Sequence, residues 1–118
     1  MIPLKKITTE AYQADPEDGI VHFGASEVDF IGVAAGASPR SRCRVLCHPD
    51  TNAKLHSMLV AMRAGAFVRP NRHRGKDESV TVLSGGCTVT FFDDGGRGLI
   101  NIPVWNRGNG AFYYLRIP

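Results

Sequence analysis

A chain of 118 residues, 43% hydrophobic and 21% charged, has the make-up of one globular domain that can bury a core without staples. No apolar run approaches the roughly 20 residues of a membrane helix. The opening MIPLKKITTE lacks a leader's apolar core, so a cytoplasmic location is expected. A net charge of +3 with pI near 9.0 admits a phosphate-bearing or nucleic-acid partner. Cys43, Cys47 and Cys87 are odd in number and hold no C-x-x-C pair, which predicts reduced thiols rather than a zinc knuckle or a disulfide framework.

In chain order, the alternation of Ile2, Leu4 and Ile7 predicts a short edge strand. Residues 8–12 read as a helical turn stopped by Asp15-Pro16-Glu17-Asp18-Gly19. Residues 20–23 form a short apolar strand candidate, in which His22 is a surface or packing histidine. Ser26 with Asp29 resembles a capping box, and Val28, Ile31, Ala34 and Ala35 follow at helical spacing up to Gly36 and Pro39. Residues 1–40 are thus expected to be a strand and helix appendage to a β-barrel over 41–118. Within that barrel, strands are predicted at 43–48, 57–63, 67–72, 78–83, 87–92, 97–104 and 111–117. Asp93-Asp94-Gly95-Gly96 is a hairpin turn, and its carboxylates are explained by turn chemistry rather than calcium.

The stretch from Gly65 to Gly85 carries the chemistry. Asn71 and His73 are two apart, so on an extended strand their side chains share a face, while Arg72 points the other way. The turn Arg74-Gly75-Lys76-Asp77 returns Glu78 toward them. An imidazole, a carboxylate and an amide suit a divalent first-row metal (Fe, Mn, Ni or Zn) better than calcium. His48, at the end of the preceding strand, is a further candidate ligand; more often a lone strand-end histidine is only hydrogen-bonded. Arg40, Arg42 and Arg44 alternate along one strand face, and Arg69, Arg72, Arg74 and Lys76 form a second basic group. Of these, Arg44, Arg69 and Arg72 are candidates for phosphate or carboxylate groups.

The spacing from Gly65 through Asn71, His73 and Glu78 to Gly85 resembles the first motif of the cupin superfamily, with Asn71 where that motif has its first histidine. SPRSRCRVLCHPD, MLVAM, VRP, V-x-SG and FFDD-x-GR together resemble the WbuC-type cupin-fold metalloproteins, a family found among bacterial O-antigen gene clusters, over about residues 38–100. The resemblance implies a mainly all-β cupin jelly-roll (double-stranded β-helix) barrel. Tyr113 to Pro118 is similar to the approach to the second cupin motif, whose histidine has no counterpart here. The implied barrel is therefore incomplete, and its metal centre is degenerate. Unpaired barrel edges further predict a homodimer.

Two functions from different classes follow. One is a metal-dependent protein acting on or binding a sugar or sugar-nucleotide in polysaccharide biosynthesis. The other is a non-catalytic cupin, a small-molecule-binding or assembly module without metal. Nucleic-acid binding ranks last, because the arginines lack interleaved aromatic residues and there is no helix-turn-helix pattern.

Overall fold

A computed structural model describes residues 1–106 and 112–118. They form a mainly β structure in two compact units, Met1–Val68 and Arg69–Pro118. Arg107 to Gly110, read as part of a turn, and Ala111, read as the start of a strand, lie outside the described residues.

The first unit is a four-stranded sheet with one helix on it. Strands β1 (Leu4–Thr8), β2 (Ala11–Ala14), β3 (Arg42–Leu46) and β4 (Met58–Met62) lie side by side in that order. β1 and β2 pair antiparallel, as do β3 and β4, whereas β2 and β3 run parallel. A parallel pair needs a crossover, and helix α1 (Ala25–Ala37) supplies it, packing on β3 and β4. Residues 1–40, expected as an appendage, therefore furnish half the sheet and the helix that covers it. Residues 8–12 are a tight reversal into β2 rather than a helical turn. Thr8 Oγ1 accepts the Glu10 N–H at 3.1 Å, and the β-branched pair Thr8-Thr9 favours this hairpin over a helix. Residues 20–23 form no strand; Val21 and Phe23 pack against the core cluster.

The core of this unit follows from alternation. Along β3, Cys43 and Val45 point inward while Arg42, Arg44 and Leu46 point out; along β4, Leu59 is buried and Met58, Val60 and Met62 are exposed. Ile2, Ala14, Ile31, Val45 and Leu59 form one cluster under α1. Tyr12 meets Phe30 edge-on with ring centroids 5.1 Å apart. Burial pushes the Cys43 thiol up from its ordinary range.

The helix start differs from the expected Ser26–Asp29 box. Gly24 is the N-cap, and Glu27 reaches back to it, accepting the Gly24 N–H at 2.8 Å on one oxygen and the Ile2 N–H at 2.9 Å on the other. Ser26 Oγ adds a third bond at 3.0 Å. These N–H donors, Gly24 first, hold the Glu27 carboxyl at about 2 against an ordinary 4.5. A depressed folded-state pKa stabilises the fold above the unfolded value and is lost as pH falls through the folded value. Urea midpoints of wild type and Glu27→Gln are therefore expected to differ at neutral pH and to converge between pH 4.5 and 2. A constant gap across that window would refute the assignment.

The second unit holds two ribbons. β5 (Glu78–Thr81) pairs antiparallel with β8 (Tyr114–Ile117), and β6 (Gly86–Phe92) with β7 (Gly98–Trp105). The β6–β7 turn behaves as its sequence predicts: Asp93 Oδ1 accepts the Gly95 and Arg97 N–H groups at 3.0 and 2.9 Å, and Gly96 has φ +82°. Among the described residues, Val104 is the one buried apolar side chain of this unit. The described strands form three separate sheets, none closed on itself. One expected barrel strand, 67–72, makes no ladder. Pro70 in its middle has no N–H to give, and β5 takes β8 as its partner instead.

Candidate functional site

His73 and Glu78 flank the turn around Gly75, whose φ of +70° suits glycine. The turn brings His73 Nε2 to 3.8 Å from Glu78 Oε2. Both side chains are open to solvent, at 59% and 46% exposure. Glu78 opens β5 and shares a strand face with Val80, whose partner across the ladder is Leu115. An exposed carboxylate thus sits at the end of a half-buried apolar row, rather than at one end of a barrel interior.

Asn71 does not lie on the strand that its spacing predicts, since residues 67–73 make no ladder. Its Nδ2 donates to the Arg69 carbonyl at 3.2 Å, which leaves the amide oxygen as the atom able to ligate a cation. Two ion pairs fasten the segment: Arg72 with Asp94 on the β6–β7 turn, and Asp77 with Arg116 on β8. Both are exposed, so they position the loop more than they stabilise it. Neither pairing had a signal in the sequence, because the partners lie far apart along the chain. The Asp94 carboxylate also engages the Arg72 guanidinium that was a candidate for a ligand's phosphate.

His48 belongs to the first unit. Its Nδ1 lies 3.1 Å from the Ser57 carbonyl, and its ring stacks on His56 with centroids 4.3 Å apart and planes 4° from parallel. His56 Nε2 in turn meets the Thr51 carbonyl at 3.2 Å. The two rings brace the loop between β3 and β4. Lone pairs in parallel planes do not converge on one ion, so this stack is not a chelate.

The first arginine group is divided. Arg40 is hydrogen-bonded to Glu10 through Nε at 2.8 Å and through Nη2, and Arg42 Nε lies 3.5 Å from the same carboxylate. The Arg40 bond holds the Glu10 carboxyl below its ordinary range. Arg44 lies on the exposed face of β3 between Ala11 and Val60, and no ion pair among the described residues includes it.

A group of three or more His, Cys, Asp or Glu side chains placed to hold a metal does not occur among the described residues. The approach of His73 to Glu78 at 3.8 Å brings together one imidazole and one carboxylate, donor types that suit a divalent first-row cation. No helix among the described residues is long and apolar enough to cross a membrane.

A family model described as a domain of unknown function, DUF6016, covers residues 24–102, from the N-cap of α1 into β7. The matched span holds α1, β3, β4 and the Asn71, His73 and Glu78 segment. No curated protein and no solved structure matches the chain.

Proposed function

From the premise that this chain belongs to the DUF6016 family, we propose that it is a cupin-type protein of the WbuC kind, binding a sugar or sugar-nucleotide beside a weak divalent-metal site. The observation that carries this reading is the approach of His73 Nε2 to Glu78 Oε2 at 3.8 Å. His73, Glu78 and the Asn71 oxygen hold the ion. A bound ion supplies a Lewis-acid point for a ligand oxygen. Arg69, in the same unit, is the proposed contact for phosphate or carboxylate groups, while Arg72 is held by Asp94.

The test is titration with Zn(II) and Mn(II) by calorimetry. His73→Ala is expected to weaken binding by more than about tenfold, and Asn71→His, which restores an imidazole, to tighten it by a similar factor. Equal affinities in all three proteins would remove the centre.

A second reading, a small-molecule-binding module that needs no metal, is favoured by the exposure of the donors and the absence of a third acidic, thiol or imidazole group among the described residues. Binding of a UDP-sugar that is unchanged by EDTA selects it; loss of that binding in EDTA selects the first.

A further inference from the structure

We propose that β4 pairs edge to edge, antiparallel, with β4 of a second copy, extending the four-stranded sheet across a two-fold axis at Val60. The hydrogen-bond parity of the sheet sets this up. The Cys47 N–H donates to the Ser57 carbonyl at 3.0 Å and the Arg63 N–H to the Ser41 carbonyl at 2.9 Å. With the β3–β4 register, these bonds turn the amides of Leu59 and Ala61 toward β3 and those of Met58, Val60 and Met62 away from it. β4 ends the sheet. Among the described residues, the outward groups of Met58, Val60 and Met62 have no backbone partner.

The two edges of this sheet are built differently. β1 carries Lys5 and Lys6 and a register irregularity between Lys6 and Thr8, the usual means by which an edge resists pairing. β4 has no charge, proline or bulge over Met58–Met62. Its outer side chains, Met58, Val60 and Met62, are 49%, 49% and 47% exposed.

The sequence of β4 also complements itself. M-L-V-A-M turned about Val60 sets Met58 against the partner's Met62 and Val60 against its own copy, all at positions with outward amides. Leu59 falls opposite Ala61, large against small, on the inner face. Ser57 meets Arg63, so no like charges oppose one another. Five paired residues, about 17 Å of strand, cover less than the roughly 1,200 Å² of a standard interface. The dimer is accordingly reversible and dilutable, not permanent.

Analytical ultracentrifugation over a dilution series tests this. Wild type is expected to shift from monomer to dimer with concentration. Val60→Lys puts two ammonium groups on the axis, and Val60→Pro removes an N–H that β3 does not use; each is expected to weaken association by more than about tenfold. Far-UV circular dichroism checks that both variants keep the wild-type fold. In a Cys87→Ser background, Val60→Cys is expected to oxidise to a linked dimer, since residues facing each other in such a pair lie about 5.5 Å apart. Lys5→Cys on the opposite edge is not. A monomer at every concentration, a dimer indifferent to both Val60 variants, or equal cross-linking of the two cysteine variants overturns the proposal. The monomer outcome leaves this edge to a strand from another protein.

Discussion

Ile31→Ala is expected to lower the unfolding free energy by about 2–5 kcal/mol, the range for removing a large buried aliphatic side chain and leaving a cavity. Ile31 is 1% exposed and lies in the cluster with Ile2, Ala14, Val45 and Leu59. It is the residue through which α1 grips the sheet, and α1 is also the crossover that permits the parallel β2–β3 pair. Val33, two positions along the same helix, is 76% exposed. Val33→Ala should change stability by no more than about 0.5 kcal/mol, so the pair forms an internal control. The measurement is a urea titration followed by far-UV circular dichroism. Similar losses for the two variants would mean that α1 does not face the sheet as described.

Gly86→Ala is the second large effect, and it acts by overpacking. A Cβ at Gly86 would sit 2.0 Å from Trp105 Cε3, 2.3 Å from Cδ2 and 2.7 Å from the Val104 carbonyl oxygen. Moving the indole relieves the first two contacts but not the third, so the β6–β7 backbone must also give way. The expected cost is about 1–3 kcal/mol, with a red-shifted emission from Trp105, the only tryptophan of the chain. Gly98 on the partner strand is the comparison. A Cβ there meets nothing nearer than Thr90 Cγ2 at 4.0 Å, so Gly98→Ala should be neutral or slightly stabilising. Unchanged emission and stability in Gly86→Ala would place Trp105 elsewhere.

Local patterns were readable where local physics decides them. The helical spacing of Val28, Ile31 and Ala35 fixes which face of α1 is buried. The alternation in RCRVL and MLVAM marks the inner and outer faces of β3 and β4, and Asp93 with Gly96 makes the hairpin. Pairing was not readable. That β2 takes β3 as a parallel neighbour depends on α1 folding back over the sheet, and nothing within Ala11–Ala14 encodes it. Residues 67–72 read as a strand from their short spacing after the turn signal at Ala64-Gly65, but their proline breaks the donor pattern a ladder needs. At the candidate site, the turn around Gly75 explains why His73 and Glu78 meet. The tethering of that loop by Asp94 and Arg116 depends on the placement of two distant strands and was invisible beforehand.

The uneven distribution of buried side chains bears on how the polypeptide is made. Every buried apolar side chain of the described residues except Val104 lies at or before Leu59. A nascent chain emerging from the ribosome can therefore condense its main core around Ile31 and Val45 as soon as β4 is free, while the later ribbons are still being synthesised. The one distant partnership this requires, β2 with β3, spans a gap already shortened by the coiling of α1, so the entropic penalty of closing it is modest.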